Sequence, residues 1–317
     1  MAQRSPIVDV HHHALLPALT GGIDLGTVDI PPWSIDDSVA FMDKIGIDVA
    51  VLSLSSPGIP YADPARARDA ARRINETFAA YVARYPSRFA AFATLPLPDI
   101  DGSLRELEHA LGVLRLDGVG VMSNYGPYFG TPFYDPLLDA LDRAAAPVHI
   151  HPRPPVLTRE QDFGLPPSLY EFTFETTRVA VQVAYNNVFG RFPNLKLILS
   201  HAGGTVPFLA KRLTYGPQIV AKLKGKAPAD TIAELSKFYF DVAMVSGRFT
   251  LPALNALVAP DRVLYGSDFP YMPVADILEA KDDVFDFTGY SGEDVRKIAS
   301  ENALRLLPRV AEKLSHN

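Results

Sequence analysis

Residues 8–17 read VDVHHHALLP, a short β-branched run that ends in three consecutive histidines. Such a run, bounded by Pro6 and Pro17, favours a strand over a helix. The residues just after this strand decide the fold. A doubly wound open sheet that binds a nucleotide normally places a glycine-rich phosphate loop after its first strand, and here that position holds histidine. Outward from this stretch, short apolar runs recur at 48–52, 89–94, 118–122, 148–151, 196–200, 238–241 and 262–265. With 7–11 they make eight predicted strands. Helical patterns lie between them, among them SIDDSVAFMDKIG (34–46), DPARARDAARRINETFAAYVARY (63–85), SLRELEHALGVL (103–114) and DPLLDALDRAAA (135–146). Asp63 before Pro64 reads as an N-cap with proline at the first helical position, and Gly46 as a helix stop. Eight strands, each followed by helical chain, predict a (β/α)8 TIM barrel, with one domain over 1–317 and a C-terminal closing helix.

Composition narrows the function classes. The 317 residues are 48% apolar and 21% charged, with a formal charge of −6. No run of five basic residues occurs, which argues against nucleic acid as a partner. No apolar stretch approaches the ~20 residues of a membrane span, so no membrane partner is expected. The N-terminus lacks a secretory apolar segment, and cysteine is absent. A reducing cytoplasm is therefore the expected compartment, and any bound metal must be held by nitrogen and oxygen.

The polar residues at the strand ends carry the chemistry. His11 and His13 end the first predicted strand, His151 ends the fifth, His201 follows the sixth and Asp268 follows the eighth. In a barrel these points meet at the C-terminal rim. Residues two apart in a strand share a face, so His11 and His13 can grip one ion while His12 points away. Imidazole with carboxylate suits Zn²⁺ or Mn²⁺ rather than Ca²⁺. His149 is expected one layer below His151, and Asp9 to support the site rather than to bind metal. His109, on an amphipathic helix, and His316, in the tail, read as structural.

Four stretches, DVHHHALLP, VHIHPRPP, LILSHAGGTVPFLAKR and LYGSDFPYMP, resemble the amidohydrolase superfamily. The resemblance is closest to its decarboxylase branch, with the aminocarboxymuconate-semialdehyde, γ-resorcylate and 5-carboxyvanillate decarboxylases, and most of all to 6-methylsalicylate decarboxylase-type sequences. FATLPLPDIDGSL, FYFDVAMVS and NALRLLP extend it over nearly the whole chain. The resemblance implies one divalent metal ion (Zn²⁺ or Mn²⁺) on His11, His13, His151 and Asp268, with His201 and Asp268 as catalytic groups. It implies a small aromatic carboxylate substrate and a homodimer in which Arg212 reaches the partner's site. Arg153 is a second candidate for the substrate carboxylate, and Phe269, Tyr271, Tyr125, Tyr128 and Trp33 are candidates to sandwich a ring. The chain has no arginine between Arg4 and Arg66, where the aminocarboxymuconate enzyme carries one, which favours a monocarboxylate. The fourth strand, DGVGVMSNYG, offers no lysine to bridge two metals. The rival reading is a mononuclear hydrolase of a lactone, ester or amide, in which the metal activates water.

Overall fold

The computed structural model describes residues 5–20, 32–155, 163–224, 230–245 and 247–315. Eight parallel strands succeed one another in sequence order: β1 (Val8–His13), β2 (Val49–Ser53), β3 (Phe89–Thr94), β4 (Gly118–Met122), β5 (Pro147–His151), β6 (Lys196–Leu199), β7 (Tyr239–Asp241) and β8 (Val263–Leu264). The ring is closed by backbone bonds from Val10 N to the Tyr265 carbonyl, 3.0 Å, and from Asp268 N to the His11 carbonyl, 2.8 Å. This is a TIM barrel, as its sequence order predicts.

Local chemistry explains the helix limits. Ser34 caps the helix Ile35–Ile45 in a reciprocal capping box with Asp37, and Gly46 ends it at φ 81°. The Asp63 carboxylate accepts from Arg66 N at 2.8 Å at the head of the helix Pro64–Arg84. These caps satisfy amides that the first turn leaves without partners. Strand limits differ more from expectation. β1 extends two residues beyond its expected end, and β8 shortens to two residues because Tyr265 N donates to the Ile298 carbonyl instead.

Two apolar layers hold the barrel. Outside, Ala50, Leu52, Ala91, Val119, Val121, Val148, Ile150, Leu197 and Leu199 pack beneath the helices. Inside and towards the bottom, Val8, Val10, Val49, Val51, Phe92, Ile198 and Leu264 meet Ala303, Leu306, Leu307 and Val310. Ala303 and Leu306 lie on the helix Asn302–Leu306, Val310 lies on Pro308–Ser315 and Leu307 joins the two; together they plug the lower end as the closing helix was expected to do. With the bottom filled by hydrocarbon, only the opposite rim is left for chemistry.

One irregularity in β1 sets the site. Asp9 pairs with Ala50 but His12 pairs with Leu52, so three steps on β1 match two on β2. This is a β-bulge, with one extra residue on the bulged strand. Val8 and Val10 face inward below it, and His11 and His13 face inward above it. Strict alternation from Val8 would have turned His12 to the axis instead. Asp9 braces the bulge. Its carboxylate accepts from His11 N (3.1 Å), His12 Nδ1 (3.1 Å), Ser267 N (3.0 Å) and Ser267 Oγ (2.6 Å).

Candidate metal centre

His11, His13 and Asp268 meet at the rim. His11 Nε2 lies 3.0 Å from His13 Nε2, and Asp268 Oδ1 lies 3.2 Å and 3.0 Å from the two. His151 completes the group, its ring centroid 4.8 Å from that of His13 and 5.3 Å from that of His11. One ligand atom from each of the four lies within 4.8 Å of the others. Gly266 permits this closeness, because a Cβ there would stand 2.7 Å from His11 Cβ.

Each imidazole is oriented from behind. His11 Nδ1 donates to Asp241 Oδ2 at 3.0 Å, and His151 Nδ1 to the Pro152 carbonyl at 2.8 Å. His13 Nδ1 donates to Ser53 Oγ at 3.2 Å, while that hydroxyl points to the His12 carbonyl at 3.4 Å. These acceptors assign the proton to Nδ1 in all three and leave the Nε2 lone pairs facing one point. Metal-binding histidines are characteristically held this way.

The electrostatics fit a cation. Burial lowers the His11 pKa, but Asp241 and Asp268 overcome it and carry it to about 10. Burial, with His11 beside it, takes His13 down to about 4, and His151 is driven well below its usual range by burial and by His13 and His11. Burial raises the Asp268 carboxyl, but His11 and His13 hold it well below the usual carboxylate range. The raised His11 value reflects the negative charge that Asp241 and Asp268 bring to this point, which favours a cation there. Asp268 Oδ1 is buried and accepts no conventional hydrogen bond. Two imidazole nitrogens and a carboxylate oxygen at mutual contact form a donor set that a divalent ion fits.

His201 stands beside the cradle, its ring 5.1 Å from His11 and 6.2 Å from His151. Its Nδ1 donates to the Ala243 carbonyl at 3.0 Å, so Nε2 is the free nitrogen. His201 and Asp268 both adopt left-handed backbone, φ 54° and 57°. For non-glycine residues that conformation costs about 1 kcal/mol or more, and it clusters at functional sites.

The remaining candidates separate. Tyr271 belongs to the site: its ring lies edgewise on His13 at 5.6 Å, with its hydroxyl beside Ser55. Arg153 lies two residues after His151 and is half-buried. Its carbonyl accepts from Asn124 Nδ2 at 3.2 Å, and its charge acts on the Tyr125 and Tyr134 hydroxyls. Tyr125 and Tyr128 are tied down, Tyr125 by Met122 N at 2.8 Å and Tyr128 by Glu175 at 2.7 Å.

Two expectations are corrected. Phe269 does not face the cradle. It bridges to His12 and stacks on Phe41 at 4.0 Å, on the outer side of β1, because the turn at Asp268 reverses its direction. Trp33 also lies outside. Its indole donates to Ser38 Oγ at 2.9 Å, which bonds to His12 Nε2 at 2.8 Å. His12 is thus the bystander that strand parity implied, and Trp33 supports it. Arg212 is exposed on the helix Val206–Leu213 and does not meet the cradle of its own chain. His149 lies one layer down, as expected, with Nε2 2.8 Å from Asp241 Oδ2. His316, residues 21–31 and residues 156–162 lie outside the described residues.

Two residues beside the site stand out only in the fold. Asp241 is a fully buried carboxylate at the end of β7, and its signal was a lone acid closing the run FYFDVA. Phe172, at the start of the helix Glu171–Tyr185, stands edgewise over His151 at 5.7 Å. Nothing local marks Phe172, because the loop before its helix decides where the helix begins.

Known proteins share this architecture. A family model described as amidohydrolase matches residues 8–309. The chain is 34% identical over 320 residues to 6-methylsalicylic acid decarboxylase of Penicillium expansum, covering 96% of each. It is 30% identical over 287 residues to gamma-resorcylate decarboxylase of Rhizobium radiobacter, covering 86% of each. Among solved structures it superimposes with a TM-score of 0.82 on a dihydroxybenzoic acid decarboxylase from Polaromonas sp. JS666. That protein carries manganese and the inhibitor 2-nitroresorcinol, at 26% identity and with 96% of this chain and 97% of that chain covered.

Proposed function

This chain belongs to the amidohydrolase family, and within it we propose a metal-dependent, non-oxidative decarboxylase of a 2-hydroxybenzoate-type acid such as 6-methylsalicylate. The observation that carries this reading is the cradle of His11, His13, His151 and Asp268 with the free Nε2 of His201 beside it. The similarity to aromatic acid decarboxylases over nearly the full chain supports it.

His11, His13, His151 and Asp268 would hold one Zn²⁺ or Mn²⁺. When bound, such an ion acts as a Lewis acid towards a carboxylate and a neighbouring phenolic oxygen. The chain's own groups do the rest. Tyr271 and Phe172 flank His13 and His151 and form apolar walls for a ring. Replacing CO₂ by hydrogen requires a proton at the ring carbon that bears the carboxylate. That carbon gains the proton, the C–CO₂ bond breaks, and its electron pair restores the aromatic ring. His201 is the better-placed carrier, since Asp268 is held ionised by the imidazoles around it whereas His201 presents an unengaged ring nitrogen. Asp268 then serves as ligand and as counter-charge. Arg153, on the loop after β5, is the candidate within this chain for the substrate carboxylate.

The chain 1–317 is proposed as one catalytic domain working as a homodimer. Phe208 and Ile219 are 85% and 78% exposed on the side of the barrel where Arg212 and Tyr215 also reach solvent. A second copy covering this face would bury the apolar residues and bring Arg212 towards the partner's rim. Among the described residues no helix is long and apolar enough to cross a membrane. A cytoplasmic site of action, suggested by the absence of cysteine, belongs to the same proposal.

The test is a panel of 2-hydroxybenzoates and lactones offered to protein loaded separately with Zn²⁺ or Mn²⁺, monitoring CO₂ release beside hydrolysis. Release of CO₂ from 2-hydroxybenzoates is expected. Hydrolysis without CO₂ would replace this reading with that of a mononuclear hydrolase.

A further inference from the structure

A second group of metal-ligand residues lies one layer below the first: His11, His149 and Asp241. We propose that this group is not a second cation site but a hydrogen-bonded hub, in which Asp241 is the positioning residue that locks the metal ligand His11 and the His201 loop into one geometry. The proposal rests on reading the rim cluster as a metal centre.

The carboxylate is fully used. Asp241 Oδ2 accepts from His11 Nδ1 at 3.0 Å and from His149 Nε2 at 2.8 Å. Its Oδ1 accepts from His201 N at 3.0 Å and Ala243 N at 3.1 Å. An ionised carboxylate offers about four lone-pair sites, and four donors fill them. No lone pair is left for an ion, in contrast to Asp268 Oδ1 in the upper cradle. His11 reinforces the distinction, because its Nδ1 is spent on Asp241 while its Nε2 faces His13 and Asp268.

The two oxygens do different jobs. Oδ2 orients the ring of His11 and so aims a ligand nitrogen. Oδ1 gathers the amides of His201 and Ala243, and the Ala243 carbonyl then holds His201 Nδ1 at 3.0 Å. One buried side chain on β7 therefore couples groups on β1 and after β6. His149 completes the hub as a donor, its ring stacked on Phe92 at 5.8 Å and 18°. A neutral amide at 241 would keep one acceptor oxygen and turn an NH₂ towards the other pair of donors, so one of the two jobs must fail.

The experiment uses the full chain with Co²⁺ and Zn²⁺ as probes. Metal content, Co²⁺ affinity and the visible Co²⁺ spectrum are measured for wild type and Asp241→Asn, with kcat and KM at saturating metal and unfolding monitored by circular dichroism. One ion per wild-type chain is expected. Asp241→Asn is expected to bind Co²⁺ about 10–100-fold more weakly with an altered spectrum, as loss of an orienting partner does. It should also lose kcat at saturating metal with KM within about twofold, since transition-state geometry rather than substrate binding is damaged. If that variant does not fold, His149→Phe carries the test: it keeps the ring, removes one donor, and should weaken Co²⁺ binding while leaving one ion per chain. Two ions per wild-type chain, with one lost in either variant, would overturn the proposal in favour of a second cation site. Unchanged Co²⁺ affinity, spectrum and kcat would overturn it in favour of passive packing. Metal titration needs no substrate, so failure to decarboxylate any acid would sink the functional reading and leave this test standing.

Discussion

Removing the metal should lower the stability of the whole barrel, not only its activity. The four candidate ligands lie on β1, β5 and just after β8, and the contacting nitrogen and oxygen atoms are 3.0–3.2 Å apart. A bound ion joins the first, fifth and eighth strands, so the chain that unfolds must release it. With free ion at 100 to 1,000 times Kd, binding to the native state alone adds about 2.7–4.1 kcal/mol. An unfolding entropy of ~2.1 cal/mol/K per residue over this length is about 0.7 kcal/mol/K, which converts that gain to a Tm difference of about 4–6 °C. The assay is scanning calorimetry on protein as purified, after chelation and dialysis, and after Zn²⁺ or Mn²⁺ is restored, with metal content measured in each sample. Chelation should lower Tm by that amount and the restored ion should recover it. In His151→Ala the same treatment should do little, since one ligand is already gone. Equal Tm values for metal-loaded and metal-free wild type would refute the reasoning, because a buried four-residue ion site cannot be thermodynamically silent.

Two further outcomes test other parts of the structure. Gly204→Ala should destabilise by about 1–3 kcal/mol and reduce turnover, since its Cβ would lie 2.0 Å from the Thr173 carbonyl at φ 62° and push the His201 loop off the helix carrying Phe172; an unchanged urea midpoint and kcat would refute it. Mixing Arg212→Ala with His151→Ala protein should restore activity to about a quarter of wild type if a symmetric dimer shares its sites, because half the dimers then contain one intact site. Mixtures as inactive as the separate variants would show that Arg212 does not serve the partner's site.

Much of this is legible in the chain before any coordinate. The alternation of β-branched runs with helical periods sets the barrel, because each strand must be buried on both faces and each crossover needs a helix. A barrel in turn brings all strand ends to one rim, so His11, His13, His151, His201 and Asp268 are readable as neighbours despite their separation in sequence. Ser34, Gly46 and Asp63 mark helix limits through bonds to adjacent backbone, which is why such signals are visible locally.

The rest depends on partners far away in sequence. The spacing of His11 and His13 puts them on one face, but alternation counted from Val8 turns His12 inward instead; the extra residue in the pairing with β2 resolves the conflict. Asp9 stabilises that bulge through Ser267, 258 residues away. By sequence Phe269 is a rim aromatic, but the left-handed turn at Asp268 sends it to Phe41; Trp33 is another, but its indole donates to Ser38, which in turn bonds to His12. The residue types at the strand ends, and so the chemistry that the rim can perform, are written along the chain. The bulge that lets His11 and His13 face the axis above Val8 and Val10 exists only in the fold, because side-chain direction in a bulged strand is set by the register of its neighbour.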